Sequence, residues 1–287
     1  MNKNKNLLYM LWSAAIVVCV VMSLFALGFA ACARQDGDET ESKSTGKGNF
    51  TVESAVPATE APVEETPAVE TPAPTETPAP VRLAETPDAG RAYLDDIIFL
   101  GDSTTYGIGV YYNYGFTELC PPSQIWTPKS GTLTLSYYNI ATIVYPETEE
   151  ELTIEEAVKR AKPKYLLITL GVNGISFMDE EWFIRDYTAL VQIVQAASPD
   201  TKIILNSIYP VADSYKYQKD INNDKIKAAN EWIERIATDT GTRYLHSYEC
   251  LAENGKLPES SQNGDGLHLN GESFTAVMQY IRTHAYR

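Results

Sequence analysis

The sequence predicts an α/β domain in which a mostly parallel sheet lies between two layers of helices. From residue 93 onward, short apolar runs alternate with longer segments in which apolar residues recur every three or four positions. A helix between successive strands brings those strands together in parallel and covers both faces of the sheet. Residues 93–287 are enough for one such domain with a sizeable core.

The first half of this pattern contains two strands and one helix. The first predicted strand, Ile97–Leu100, runs directly into the sequence Gly-Asp-Ser. Thr153 and Glu156 have the spacing of a capping box and begin a helix that stops before Pro163. The apolar run Tyr165–Leu170 follows this helix and predicts the second strand.

A longer helix is predicted to begin near Asp179 and to end at the sequence Ser-Pro-Asp. The next strand is Lys202–Ile208. The apolar face of the helix consists of Phe183, Tyr187, Leu190, Val191 and Val194.

The remaining elements are two helices and one short strand. A helix is predicted between Asp220 and Asp239 with Gly241 as its stop, the strand Arg243–His246 follows, and the last helix is 271–284. The inward positions of the first helix are Ile226, Ala229, Ile233 and either Ile236 or Ala237. Those of the last helix are Phe274, Val277, Met278 and Ile281.

Residues 1–32 predict an N-terminal membrane anchor or a lipoprotein signal. No charged residue occurs between Leu7 and Ala31, which is long enough to cross a bilayer at about 20 residues per span. Lysines precede this run and acids follow it, which favours a cytoplasmic N-terminus and an exported remainder. The ending Phe-Ala-Ala-Cys resembles the lipobox of bacterial lipoproteins, so the two alternatives are an uncleaved helix and a lipid on Cys32.

Residues 33–92 predict a disordered spacer, because they are rich in Pro, Thr and Glu and poor in large apolar residues. The expected organisation is therefore an anchor over 1–32, a spacer over 33–92 and a folded α/β domain over 93–287. This organisation predicts a bacterial protein of the cell membrane, attached through its N-terminus, with an extracytoplasmic domain.

Charge and cysteine content restrict the possible partners of the domain. It has 26 acidic and 16 basic residues, a net charge of −10, which argues against a nucleic-acid partner. Cys120 and Cys250 could form one disulfide in an exported domain, but their spacing does not show whether they meet. The sequence has no C-x-x-C spacing typical of a metal site.

Polar residues follow the predicted strands at positions where an α/β sheet binds its ligands. Ser103 comes after the first strand and Asn173 after the second, while Asp265 and His268 precede the last helix. Taken alone, Ser103 could be a helix cap, and Asp265 or Asn173 could belong to simple turns.

Serine-dependent hydrolysis requires a base within reach of the hydroxyl and an acceptor that orients the base. The chain has three histidines, His246, His268 and His284. His284 lies in the last helix, and His246 ends a strand, where a packed histidine is common. Only His268 follows an aspartate by three residues in a glycine-containing loop, so Asp265 and His268 are the candidate partners of Ser103.

The order and sequence of these motifs resemble those of the SGNH or GDSL hydrolases, over essentially the whole domain. This resemblance implies a flavodoxin-like three-layer α/β/α fold, with Ser103 as nucleophile and with Asp265 and His268 completing the catalytic set. It also implies an oxyanion hole formed by the Ser103 N–H, the Asn173 amide and a glycine N–H. Gly131 is the candidate glycine, although another N–H could serve, and Gly174 stands where the family usually has an acid.

The implied activity is hydrolysis of short acyl esters, with O-acetyl groups on a carbohydrate or cell-wall polymer as the favoured substrate, and without a metal or cofactor. A lipase, lysophospholipase or acyltransferase, and a catalytically silent glycan-binding module, are the alternatives. Aromatic residues after Ser103 suit a glycan but are also ordinary packing residues: Tyr106, Tyr111, Tyr112, Tyr114, Phe116, Trp126, Tyr137 and Tyr138.

Overall fold

A computed structural model describes residues 81–287 of the chain. The strands are β1 Ile97–Gly101, β2 Ile125–Trp126, β3 Thr142–Tyr145, β4 Glu150–Thr153, β5 Tyr165–Thr169, β6 Lys202–Asn206 and β7 Arg243–Leu245. Five of them form a parallel sheet with the strand order β2-β1-β5-β6-β7, and β3 and β4 form a separate antiparallel hairpin. The helices are α1 Gly90–Asp95, α2 Ser103–Asn113, α3 Ile154–Ala161, α4 Glu180–Ala197, α5 Asn223–Thr240 and α6 Gly271–Thr283.

The sheet has two hydrophobic clusters, one on each face. Helices α3, α4 and α5 contribute to one cluster, and α1, α2 and α6 contribute to the other. The apolar faces predicted for α4, α5 and α6 are all buried in these clusters. The predicted three-layer α/β fold is therefore confirmed.

The parallel sheet has its switch point between β1 and β5. From β1 the chain passes to β2 on one side, and β5, β6 and β7 then follow on the other side. Without the hairpin, this is the flavodoxin-like order, in which ligands bind beyond the carboxyl ends of the strands at the switch point. Gly101 is paired with Thr169 at these ends, so the segments after β1 and β5 are neighbours.

Local sequence signals set the ends of several helices as predicted. Thr153 and Glu156 form the complete capping box of α3. The side chain of Asp179 accepts from the backbone N–H of Trp182 at the start of α4. Gly241 adopts a positive φ of 68° at the end of α5, a conformation that favours glycine.

The folded part begins earlier than the predicted boundary at residue 93. Arg82 forms a parallel bridge with Tyr244, whose N–H donates to the Val81 carbonyl at 2.9 Å and whose carbonyl accepts from Leu83 at 2.8 Å. This pairing extends the sheet beyond β7. The paired segment is only about three residues long, so it has no periodic signal in the sequence.

The predicted anchor over residues 1–32, including Cys32, lies outside the described residues, as does the spacer up to residue 80. Between residues 81 and 287, no helix is both long enough and apolar enough to cross a membrane.

The structure corrects the possible pairing of Cys120 with Cys250, because both are free cysteines. The Cys120 Sγ lies 3.8 Å from the sulfur of Met278, and the Cys250 thiol donates to the Ser247 carbonyl at 3.1 Å. Burial raises the pKa of each thiol to about 12. Both groups therefore remain thiols near neutral pH, where they are poor nucleophiles.

Candidate active site

The turn between β1 and α2 places Ser103 at the first position of a helix. The cap of this helix is Asp102, whose carboxylate accepts from the Thr104 N–H at 3.0 Å and from the Thr104 hydroxyl at 2.7 Å. The alternative in which Ser103 caps the helix is therefore wrong. Its hydroxyl takes no part in capping.

Gly101 allows β1 and β5 to approach closely just before this turn. A Cβ atom added at Gly101 would lie 2.5 Å from the carbonyl oxygen of Thr169. No side chain fits there without moving the backbone of β5. The glycine of the Gly-Asp-Ser motif is thus required by packing.

His268 lies between Ser103 and Asp265. Its Nε2 atom is 2.8 Å from the Ser103 Oγ, and its Nδ1 atom is 2.6 Å from the Asp265 Oδ2. The other carboxylate oxygen of Asp265 accepts from the N–H groups of Leu267 at 2.8 Å and His268 at 2.9 Å. The structure therefore brings the three predicted residues together in one hydrogen-bonded chain.

The carboxylate of Asp265 is about half exposed. Burial of the rest acts to raise the pKa of Asp265, but the hydrogen bonds and the charge of His268, with the backbone donors, outweigh it and lower the pKa. Asp265 is therefore ionised at neutral pH and is an acceptor only. The Nδ1 atom then carries the imidazole hydrogen, which leaves Nε2 free to accept from the Ser103 hydroxyl.

The loop that carries Asp265 and His268 is held by its own hydrogen bonds. The Gln262 side chain accepts from the N–H of Gly264 and, at 2.9 Å, from that of Gly266. The Asn263 N–H donates to the His268 carbonyl at 2.9 Å. These bonds fix the carboxylate and the imidazole relative to each other.

The two donors predicted for the oxyanion lie on the segments that follow β1 and β5, whose carboxyl ends are neighbours. As the first residue of α2, Ser103 has an N–H group with no acceptor within its helix. The Asn173 amide follows β5 and donates one hydrogen to the Leu133 carbonyl at 3.2 Å. This bond orients the amide and leaves its second hydrogen for a ligand.

Gly131 does not provide the expected third donor in this structure. Its N–H donates to the Pro128 carbonyl at 2.7 Å and closes a turn. Gly131 does lie near the site, because an added Cβ would be 3.2 Å from the ring of Tyr106, one helical turn after Ser103. The residue is therefore in the expected region, but its N–H already has a partner.

The structure shows what lies next to Gly174, which stands where the family motif usually has an acid. A Cβ at this position would lie 2.7 Å from the sulfur of Met178, which is buried. The space next to Asn173 is thus filled by a methionine from the following turn.

Asp102 is almost fully buried below Ser103. Burial raises the pKa of Asp102 to about 6, although the hydrogen bonds from Thr104 oppose this shift. A cavity with room for about one water molecule adjoins it and is lined by Asp102, Thr104, Thr169, Leu170, Val172, Ile208, Tyr209 and Leu267.

A buried polar network behind the site was not foreseen from the sequence. The Asn206 amide donates to the hydroxyls of Thr169 at 3.1 Å and Tyr209 at 3.3 Å, and its carbonyl accepts from Ser247 at 2.5 Å. These groups join the carboxyl ends of β5, β6 and the segment after β7. The available signal was a polar residue ending each apolar strand, Thr169 and Asn206.

The other two histidines have partners outside the site, and a packed position was predicted for His246. The Nδ1 atom of His246 lies 2.8 Å from the Tyr244 hydroxyl, and burial lowers the pKa of this imidazole. His284 ends α6 with its ring stacked 3.8 Å from that of Tyr280. Among residues 81–287, no group of three or more His, Cys, Asp or Glu is placed to hold a metal ion.

The sequence also matches a known family. Residues 99–274 match the family model of GDSL-like lipases and acylhydrolases, a segment that includes Ser103, Asn173, Asp265 and His268. The chain therefore belongs to the GDSL-like lipase/acylhydrolase family, and the resemblance noted from its motifs is confirmed. No curated protein gives a significant match.

Several solved structures are similar to this chain. A protein from Streptococcus pneumonia, provisionally named a platelet activating factor, has 19% identity and a TM-score of 0.49, covering 67% of this chain and 84% of its own. A GDSL-like lipase from Bacteroides thetaiotaomicron has 18% identity and a TM-score of 0.45, covering 65% and 85%. A carbohydrate esterase of family 3 from Talaromyces cellulolyticus has 17% identity and a TM-score of 0.43, covering 65% and 93%.

Proposed function

We propose that the protein is a serine esterase in which Ser103 is the nucleophile, His268 the general base and Asp265 the residue that orients His268. The observation that carries this proposal is the pair of contacts made by His268, 2.8 Å to the Ser103 Oγ and 2.6 Å to the Asp265 carboxylate. Both distances are within hydrogen-bond range, as proton transfer during attack requires.

The reaction follows from this geometry. The His268 Nε2 takes the proton of Ser103 as the Oγ attacks the ester carbonyl carbon, and the Ser103 N–H and the Asn173 amide hold the oxyanion. His268 then returns the proton to the leaving alcohol, which yields an acyl ester on Ser103. Water, deprotonated by His268, releases the carboxylic acid and restores the serine.

We favour a short acyl group because the sequence of residues 93–287 contains no long apolar segment that could cover a lipid-binding groove. A long acyl chain needs an extended apolar channel, whereas an acetyl group needs little enclosed space.

We also place the catalytic domain outside the cell, acting on an acylated carbohydrate or wall polymer. The support is the apolar N-terminal run, the proline-rich segment that follows it and the aromatic residues after Ser103. Mass spectrometry of the intact protein tests the anchor. A diacylglyceryl group on Cys32 supports the lipoprotein, whereas an unmodified Cys32 with residues 1–31 retained supports the uncleaved helix.

The test of the esterase is hydrolysis of p-nitrophenyl acetate, butyrate and palmitate by the full-length protein. We expect acetate to be the best of the three, and Ser103→Ala or His268→Ala to lower kcat by about 10⁴-fold or more. His284→Ala, outside the site, is the matched control and should keep full activity. Activity that survives Ser103→Ala contradicts the proposal, and inactivity on all three esters favours a binding module.

A further inference from the structure

Three exposed aromatic side chains, which we call the aromatic rim, belong to segments next to the candidate catalytic residues. They are Tyr106, Phe177 and Tyr217, with exposed fractions of 49%, 52% and 47%. Other aromatic residues near Ser103 pack into the core, such as the buried Trp126 and the partly buried Tyr111. The rim residues are therefore large rings left available to a ligand.

Tyr106 is attached to the segment that carries the nucleophile. It lies three residues after Ser103 in α2, and its N–H donates to the Asp102 carbonyl at 2.9 Å. One part of its ring covers Gly131, and about half of the side chain remains in solvent. Its position is fixed by the same helix that fixes Ser103.

Phe177 is attached to the segment that carries the Asn173 amide. It follows the 3₁₀ turn Gly174–Ser176, and its N–H donates to the Gly174 carbonyl at 3.0 Å. The edge of its ring rests against Trp182, with ring centroids 5.5 Å apart. The contact holds the ring in place while half of it stays exposed.

Tyr217 packs against Tyr215, which in turn contacts the loop that carries Asp265 and His268. The backbone nitrogen of Tyr215 lies 2.5 Å from the position of a Cβ on Gly266, the residue directly after Asp265. The rings of Tyr215 and Tyr217 meet edge to face, with centroids 5.9 Å apart. Tyr217 therefore lies beside the loop that carries His268.

We propose that the aromatic rim is a carbohydrate-binding surface, which holds neutral sugar residues of an O-acylated glycan around the ester cleaved at Ser103. This inference rests on the proposed esterase function and adds the residues that would select its substrate. Tyr106 and Phe177 are each in contact with one neighbour. Tyr217 contacts Tyr215 and the Lys216 ammonium, which lies 5.5 Å from its ring centroid. About half of each of the three side chains remains exposed for stacking.

The chemistry of the rim fits a sugar better than a lipid. A pyranose has a flat patch of C–H groups bordered by hydroxyls, which matches an aromatic face with a phenol hydroxyl nearby. The three rings come from separate segments, whereas an acyl chain needs a continuous apolar channel. The net charge of −10 in residues 93–287 opposes an anionic polymer, and uncharged aromatic rings with phenol hydroxyls suit an uncharged sugar, so the inference is a neutral glycan.

The experiment compares two acetate esters with the full-length protein, partially O-acetylated cellotetraose and p-nitrophenyl acetate. They carry the same acyl group, but only the first carries sugar residues. We expect Tyr106→Ala, Phe177→Ala and Tyr217→Ala each to lower the ratio of kcat/KM on the tetrasaccharide to that on p-nitrophenyl acetate by about tenfold, mainly through KM. Tyr106→Phe and Tyr217→Phe keep the ring and should restore most of this ratio.

Tyr114→Ala is the matched control. Tyr114 is 56% exposed, but it lies at the other end of α2, about 16 Å along the helix from Ser103. The ratio should not change in this variant. A ratio unchanged in all three rim variants, or lowered equally by Tyr114→Ala, overturns the inference.

Two further outcomes separate this inference from the esterase proposal. Activity on p-nitrophenyl acetate without activity on the tetrasaccharide overturns the rim as a glycan site and leaves the esterase intact. Inactivity on both overturns the esterase proposal itself. A loss confined to p-nitrophenyl palmitate in the rim variants assigns the rings to a lipid chain and also overturns the inference.

Discussion

Asp102 and Ser103 are adjacent in the chain, but their side chains point to different surroundings. The Asp102 carboxylate is buried and caps α2, while the Ser103 hydroxyl faces His268 at 2.8 Å. A serine that also capped the helix would have its oxygen turned toward the backbone. The neighbouring aspartate therefore keeps the hydroxyl free for the imidazole.

The buried Asp102 should make stability depend on pH. The pKa of Asp102 in the folded protein, about 6, lies above the ordinary value of 3.8. The stability that the protonated carboxyl contributes to the folded state is therefore fully present below about pH 4 and is lost as the pH rises through 6. Asp102→Asn keeps a capping oxygen without the charge. We expect the variant to gain about 3 kcal/mol relative to the natural protein between pH 4 and pH 7.

Urea denaturation of both proteins at several pH values measures this difference. The two curves of unfolding free energy against pH should diverge between pH 4 and 6. Parallel curves would show that burial does not disfavour the carboxylate at this position.

Asn173→Ala removes a donor without removing the nucleophile or base. We expect kcat on p-nitrophenyl acetate to fall by about 10²- to 10³-fold, because the amide acts on the charge that develops in the transition state. KM should change little. Steady-state kinetics decide this, and a fall in kcat of less than about threefold would exclude Asn173 from the oxyanion hole.

At the residue scale, the sequence predicted which three side chains form the hydrogen-bonded chain better than it predicted the contacts that support them. Ser103, Asp265 and His268 could be selected because histidines are few and because the motifs occur in the order typical of the family. The partner of the Gly131 N–H could not be foreseen, since it depends on a turn closed by Pro128. Contacts of this kind depend on loop geometry, which has no periodic signal.

At the scale of elements, the Gly-Asp-Ser turn depends on how closely β1 approaches β5. Gly101→Ala should destabilise the fold by about 3 kcal/mol, because the new Cβ meets the Thr169 carbonyl. Gly109→Ala is the control. Its Cβ would lie 3.5 Å from Ile125, an ordinary contact, and we expect a gain of about 0.5–1 kcal/mol from the helix interior.

Chemical denaturation of the two glycine variants measures both effects. Equal stability of Gly101→Ala and the natural protein would show that β1 and β5 can separate at little cost.

Long periodic elements were predictable and short ones were not. Helices α4, α5 and α6 bury the faces that their apolar spacing indicates, because packing against a sheet follows the same spacing. Helix α1, strand β2 and the β3–β4 hairpin are each too short for such a pattern. Their existence depends on tertiary contacts with the rest of the fold.

At the scale of the whole folded unit, the residues before α1 belong to the structure. Besides the pairing with Tyr244, the Thr86 N–H donates to Thr283 at 2.6 Å and the Ala89 N–H to Arg282 at 3.0 Å. Arg82 and Asp88 form ion pairs with Glu234 and Arg282. This segment connects β7 with the end of α6.

A fragment over residues 78–287 should therefore be more stable than one over 93–287. We expect a difference of roughly 3–5 kcal/mol, at about 1 kcal/mol for each of the four backbone hydrogen bonds lost. Thermal and urea unfolding of both fragments measure it. Equal stabilities would place the edge of the cooperative unit at residue 93.

The loop from Gln262 to Asn270 has a mechanical consequence. Asp265 and His268 lie on this one loop and are tied to each other, whereas Ser103 belongs to a different element. In the proposed mechanism, the base and the acid that orients it therefore belong to the same loop. We expect that a change in the distance between this loop and α2 alters the contact between His268 and Ser103 and leaves the contact between His268 and Asp265 unchanged.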